Sequence, residues 1–176
     1  MSHDVPRGIE HIGICVPDHD AAVRFFESAF GATVLQSHVT RDQPLSSRQL
    51  NQSHGMAARS EICAASLLRF GNAANIEIMQ LTRYTRLDPA DFSDMGLQHF
   101  SVYVDDLDAC TRRFVRAGGL LLDGPFDLIG YEAGAGNRGR FGRMPWGSMV
   151  EFITLPAAAT KTEVSMQTRW FPQLQE

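Results

Sequence analysis

The sequence predicts an α+β chain made of two βαβββ modules whose mixed sheets curl into a cup. Three observations carry this. Two strand-like stretches open alike, His11 leading Ile-Gly-Ile-Cys-Val-Pro-Asp and His99 leading Phe-Ser-Val-Tyr-Val-Asp-Asp. Each is followed by a helix-like segment that ends at glycine, from Ala21 to Gly31 and from Cys110 to Gly118-Gly119. Each half then closes on an apolar run with a carboxylate inside it, Ile76-Glu77-Ile78 and Val150-Glu151-Phe152.

In chain order, residues 9–16 are rich in Ile and Val and alternate loosely, which reads as a strand. Pro17-Asp18 ends it, and Asp18 or Asp20 can cap the helix whose stripe is Ala22, Val23, Phe25, Phe26, Ala29 and Phe30. A second strand starts at Thr33-Val34-Leu35. Residues 37–57 are polar and without period, so a long loop is expected there. Strands over 61–70 and 75–81 flank a Gly71-Asn72 turn. The second half repeats the order: a strand at 98–104, Asp105-Asp106 capping a helix over 107–117, and a strand at 120–122. A strand near 128–132, a glycine-rich loop at 134–139 and strands near 140–144 and 148–154 complete it. The expected organisation is a first module over 8–81, a connector over 82–96, a second module over 97–155 and a C-terminal tail over 156–176. Trp170 and Phe171 are the tail residues suited to docking.

Bulk properties narrow the partners. With 176 residues, 44% hydrophobic and 20% charged, the chain has the make-up of one globular domain or two small modules. A formal net charge of -4 gives no hint of nucleic-acid binding, which normally shows as a concentrated basic surface. No apolar run approaches the roughly 18–20 residues of a membrane span. Met1-Ser2-His3-Asp4-Val5-Pro6 lacks the basic-then-apolar order of a signal peptide. Three cysteines, Cys15, Cys63 and Cys110, are an odd number in apolar patterns, expected as buried free thiols in a reducing compartment. A cytoplasmic protein with a small-molecule substrate is the expectation.

Two modules that each bury one sheet face need one another, and their first and last strands would turn His11, Glu77, His99 and Glu151 into one cavity. A lone strand histidine is commonly a structural residue. A carboxylate set between buried apolar neighbours is different, because unpaired it is costly or becomes protonated. Two imidazoles and two carboxylates form a donor set for Zn, Ni, Co, Mn or Fe. Arg138, Arg140 and Arg143 surround the glycine-rich loop and could grip a substrate carboxylate or phosphate, or be solvated charges on a hairpin. His38 and His54 lie in the polar loop, exposed or brought in by a lid. Tyr131 and Trp146 fit packing or substrate stacking, and His19 starts a helix.

Taken in order and in duplicate, these stretches resemble the vicinal-oxygen-chelate superfamily, which includes glyoxalase I, methylmalonyl-CoA epimerase, fosfomycin-resistance proteins and extradiol dioxygenases. The resemblance covers residues 8–155. It rests on Gly8 to Asp18, Phe25-Phe26 to Phe30-Gly31, Asn75 to Ile78, Gly96 to Asp106 and Pro145 to Phe152. It implies His11, Glu77, His99 and Glu151 as metal ligands, Glu77 pointing to the four-ligand branches. It further implies Glu151, with Glu77, as the catalytic carboxylate, and a homodimer. Glu61 sits one residue from where the epimerase branch carries a second acid, an offset that turns a strand side chain to the other face. The expected activity is a lyase or isomerase of the glyoxalase I or epimerase kind, removing a proton next to a carbonyl of a small oxygenated substrate. The alternatives are a non-haem iron ring-cleaving dioxygenase with His54 or Tyr131 over the metal, or a bleomycin-resistance-like binding protein. Tyr131, His54 and the three arginines are the candidate substrate contacts.

Overall fold

The structure is a computed structural model, and it describes Pro6 and residues 8–157. All of the expected tail beyond Ala157, Trp170 and Phe171 included, lies outside the described residues. The described chain divides into two compact units, one of residues 8–27 and 31–87 and one of residues 28–30 and 88–157. No described helix is long and apolar enough to cross a membrane.

The first unit runs β1 (His11–Cys15), α1 (His19–Phe30), β2 (Thr33–Val39), β3 (Leu45–Ser46), α2 (Ser47–His54), β4 (Glu61–Arg69) and β5 (Asn75–Leu81). Its sheet has the order β1-β5-β4-β2, with β3 also paired to β4. The β1–β5 pair is parallel and the others are antiparallel. Period-2 alternation sorts the side chains. Ile76, Ile78, Leu68 and Ser66 share one face and are buried. His11, Gly13, Glu77 and Leu67 share the other. Asp18 caps α1 by accepting from the Ala21 amide at 2.9 Å, and Gly31 ends it at φ 69°. The helix lies on the buried face: His19 Nε2 and Ser66 Oγ are hydrogen-bonded at 2.9 Å, and Phe26, fully buried, meets Phe70 edge-on. A phenyl ring buried this way stabilises the fold by about 1.5–3 kcal/mol.

The second unit repeats the plan with β6 (His99–Tyr103), α3 (Leu107–Arg116), β7 (Leu120–Leu121), β8 (Phe126–Asp127), β9 (Arg138–Arg143) and β10 (Met149–Thr154). The order is β6-β10-β9-β7, with β8 paired to β9, and β6–β10 is the parallel pair. Asp106 caps α3 through the Ala109 amide at 2.8 Å. Leu107, Thr111 and Phe114 form the buried stripe of α3. The Phe114 ring stands edge-on to Phe152 at 5.1 Å and tilted to Phe30 at 5.9 Å. Gly119 and Gly142 admit that ring, since an added Cβ would lie 2.2 Å and 2.8 Å from Phe114.

The duplicated βαβββ order and the α+β class expected from the sequence are those observed. Three local expectations change. The 37–57 loop holds the end of β2, β3 and α2; the helix is polar and is anchored at its first residue, where the Ser47 hydroxyl accepts from the Arg59 amide at 3.0 Å and the Ser47 amide donates to Ser60 O at 2.8 Å. The strand near 128–132 is instead a 3-10 turn, Gly130–Glu132, opened by Gly130 at φ 64°. The cysteines are free as expected but not uniformly buried: Cys15 is exposed, and Cys63 and Cys110 are half-buried.

Candidate functional site

Both units present a histidine and a glutamate by the same register. Glu77 on β5 pairs with Gly13, two residues past His11 on β1. Glu151 on β10 pairs with Ser101, two residues past His99 on β6. Diagonal neighbours on one face of adjacent strands are within reach of long side chains. The resulting separations are nearly equal: 3.8 Å from His11 Nε2 to Glu77 Oε2, and 3.9 Å from His99 Nε2 to Glu151 Oε2. Both are longer than a hydrogen bond, yet inside the ~4.2 Å that two donors ~2.1 Å from a common ion can span.

The opposite nitrogen of each ring is also occupied in duplicate. His11 Nδ1 bonds Glu10 Oε2 at 2.5 Å, and His99 Nδ1 bonds Gln98 Oε1. An oxygen acceptor on Nδ1 places the proton there and leaves Nε2 with its lone pair aimed at the glutamate, the usual orientation of a metal-ligating histidine. Glu10 also accepts from Asn75 Nδ2 at 2.7 Å, which ties it to the start of β5. The bond to His11 holds the Glu10 carboxyl below its ordinary range and raises the His11 imidazole. Neither Glu10 nor Gln98 was singled out from the sequence, although the signal was present: each directly precedes a repeated histidine.

Around Glu77 the structure adds a residue that the sequence placed in a loop. His38 lies on β2 at a bulge, the extra residue between the Ser37–Ser66 and Val39–Ala65 pairs. Its Nε2 stands 2.9 Å from Glu77 Oε1, so the two oxygens of that carboxylate face two different histidines. Gly13, the strand partner of Glu77, leaves room at this point, because a Cβ there would come 3.2 Å from Met79 Cε and 3.9 Å from Glu77 Oε2. Glu61 is elsewhere. It is six residues along β4 from Leu67, the partner of Glu77, or ~20 Å of strand. It lines a separate 540 Å³ cavity with Ser46, Ser47, Arg48 and Arg59.

Around His99 the surroundings are aromatic. Phe92 stacks on the imidazole at 5.9 Å with 10° between planes, and Phe141 meets it edge-on at 5.2 Å. Phe141 is also the β9 partner of Glu151. The arginines divide. Arg143 shares the face of Glu151, and its guanidinium donates to Gly147 O at 3.1 Å and Asp91 Oδ1 at 2.8 Å, which anchors the segment that carries Phe92. Arg138 and Arg140 pair with Thr154 and Phe152 and take the opposite face. Arg140 donates to Leu122 O at 3.4 Å. The glycine-rich loop is organised by buried Asn137, which donates to Glu132 O and accepts from the Ala157 amide. His54 ends α2, exposed, with Nδ1 bonded to Ser53 Oγ at 2.6 Å, and Tyr131 is exposed on its 3-10 turn.

Among the described residues, no group of three or more His, Cys, Asp or Glu forms a metal site. The donor chemistry of the two pairs nonetheless fits a divalent cation: imidazole nitrogens whose Nδ1 atoms are already engaged, and half-buried carboxylates.

Comparison with known proteins agrees with this architecture. Residues 10–137 match the family model described as the glyoxalase/bleomycin resistance protein/dioxygenase superfamily. A 2-epi-5-epi-valiolone epimerase from an Actinomyces species is 30% identical over 164 residues, covering 90% of this chain and 86% of that protein. Among solved structures, a glyoxalase family protein from Bacillus cereus superposes with a TM-score of 0.69 at 14% identity, over 88% of this chain and 97% of that one. Maize glyoxalase I gives 0.58 at 19% identity over 83% of this chain and 44% of its own length. Those two likenesses concern the fold. With more than half its length matched to the family and its duplicated βαβββ units in place, the chain belongs to the glyoxalase/bleomycin resistance protein/dioxygenase superfamily.

Proposed function

We propose that this chain is a divalent-metal-dependent epimerase or isomerase that removes and returns a proton next to a carbonyl of a small polyoxygenated substrate. The observation that carries the reading is the duplicated pair: His11 with Glu77 and His99 with Glu151, equal in register and in separation, each histidine buttressed on Nδ1. The relative described as a 2-epi-5-epi-valiolone epimerase supports inversion at carbon over ring cleavage, and a valiolone-type ketone as the substrate class.

In this reading His11 with Glu77, and His99 with Glu151, would each supply ligands to a divalent cation, which when bound stabilises negative charge on the substrate oxygen. The remaining chemistry belongs to the chain. Glu10 and Gln98 keep the imidazoles in the Nδ1–H tautomer, so both Nε2 atoms stay donors. Glu151 is the base and takes the proton from the carbon beside the carbonyl, since His99 stands 3.9 Å away, beyond hydrogen-bond distance. Inversion needs a proton delivered to the other face of the carbon, and solvent supplies it, since Glu77 faces His38 and His11 with its two oxygens and stays a ligand. Phe92 and Phe141 shield the His99 side from water.

The test is a deuterium-exchange assay. Full-length protein loaded with Co, Ni, Zn or Mn is incubated in D₂O with a valiolone-type ketone, and exchange and inversion beside the carbonyl are followed by NMR. Metal-dependent exchange that disappears in Glu151→Gln is the expected result. Ferrous iron with O₂ uptake, or tight ligand binding without exchange, would overturn the reading.

A further inference from the structure

We propose that His38 is a positioning residue that pins Glu77 by one oxygen and leaves the other as its only metal-ligating atom. The inference rests on the metal reading above and concerns how one ligand is held. A carboxylate on a strand can rotate about its terminal torsion and present either oxygen, or both, to a cation. Here the two oxygens are already distinguished. Oε1 is 2.9 Å from His38 Nε2, and Oε2 faces His11 Nε2 at 3.8 Å. The second separation admits an ion between the atoms; the first is a direct side-chain contact.

The backbone shows why His38 is there. β2 carries two register shifts against β4, and His38 is the extra residue of the second one. A bulge leaves its extra residue outside the ladder and re-aims the side chain, and bulges gather beside functional sites. The flanking residues are committed elsewhere: Ser37 Oγ bonds Ser66 Oγ at 2.8 Å, and Val39 is buried. The duplication stops at this point. In the second unit the corresponding strand, β7, is only Leu120–Leu121, and among the described residues no second histidine contacts Glu151. One carboxylate is therefore in close contact with one imidazole and faces a second, while its repeat only faces one at 3.9 Å. That asymmetry assigns Glu77 as the stationary ligand and leaves Glu151 to move.

The experiment compares full-length wild type, His38→Ala and His38→Gln, first checked for equal thermal melts, by competition with a chromogenic chelator for Zn(II) and Co(II). The visible spectrum of the Co(II) form reports the ligand geometry. His38→Ala should bind about 10–100-fold more weakly and shift the Co(II) bands, and the glutamine, whose amide can again hold Oε1, should recover most of that loss. Unchanged affinity and spectrum in the alanine variant would overturn the proposal. So would a glutamine variant as weak as the alanine, which would make His38 a ligand itself. A wild-type measurement stands apart from any folding defect: on adding Zn(II), the nitrogen NMR signals of His11 should show direct coordination and those of His38 should not, the reverse overturning the assignment. Absence of metal binding by the wild type would instead remove the metal reading on which the inference rests.

Discussion

Gly119→Ala isolates how the second unit's core supports Glu151. The Gly119 backbone permits a side chain, but a Cβ there would lie 2.2, 2.4 and 2.5 Å from three atoms of the Phe114 ring. Ordinary contact requires about 3.5 Å or more, so the ring must retreat by more than 1 Å. It has little freedom to do so, because Phe114 is fully buried with Phe152 at 5.1 Å and Phe30 at 5.9 Å. Overpacking of this kind costs about 1–3 kcal/mol, against which loss of glycine's unfolded-state freedom returns about 0.4–1 kcal/mol. A net cost of about 1–2 kcal/mol corresponds to a Tm lower by about 2–8 °C for a chain of this size. The strain also passes to Phe152, the neighbour of Glu151 on β10, so metal affinity should weaken with it. Thermal melts of Gly119→Ala, Phe114→Leu and the double variant form a cycle. The double variant should be more stable than the sum of the singles by about 1 kcal/mol, because the smaller side chain makes room for the methyl group. An unchanged Tm in Gly119→Ala, or strict additivity, would refute the reasoning.

Glu151→Gln should remain folded and lose proton exchange by about 100-fold or more, measured by deuterium incorporation next to a ketone; activity within a fewfold of wild type would remove Glu151 as the base. His11→Ala should abolish metal binding while leaving the thermal melt nearly unchanged, as read by metal analysis of the purified protein. Glu10→Ala frees His11 Nδ1 and should weaken metal affinity about 10–100-fold, measured by chelator competition, whereas equal affinity would make the Glu10 contact incidental. For pH, Asp20 is held below the usual carboxylate range, first by its hydrogen bond to His19 and also by Arg41. A lowered pKa stabilises the fold above the unfolded-state value and is lost as pH falls toward the folded one. The Tm of wild type should therefore drop more steeply than that of Asp20→Asn below about pH 4.

The elements most legible from sequence were those whose period is set locally. Alternation around Glu77 and Glu151 required buried Ile76, Ile78, Val150 and Phe152 on one face and the carboxylates on the other, as observed. The capping aspartates Asp18 and Asp106 and the glycine stop at Gly31 are equally local. Less legible was everything fixed by a partner strand. Residues 37–57 carry no period, so β3 and polar α2 had no signature of their own. The arginines could not be sorted by face until the β9–β10 register was known, and that register commits Arg143 to Asp91.

By itself the sequence determined the duplication, the α+β class and the recurrence of a histidine and a glutamate in each half, because repetition and period are properties of the chain. The tertiary structure alone decided which atoms meet. The parallel β1–β5 and β6–β10 registers set each histidine diagonally from its glutamate, the Nδ1 contacts of Glu10 and Gln98 choose the ring nitrogen that faces it, and one extra residue in β2 brings His38 against Glu77. The parallel registers and the β2 bulge arise from pairing between strands distant in sequence, where alternation fixes which face a side chain takes but not which residue it meets.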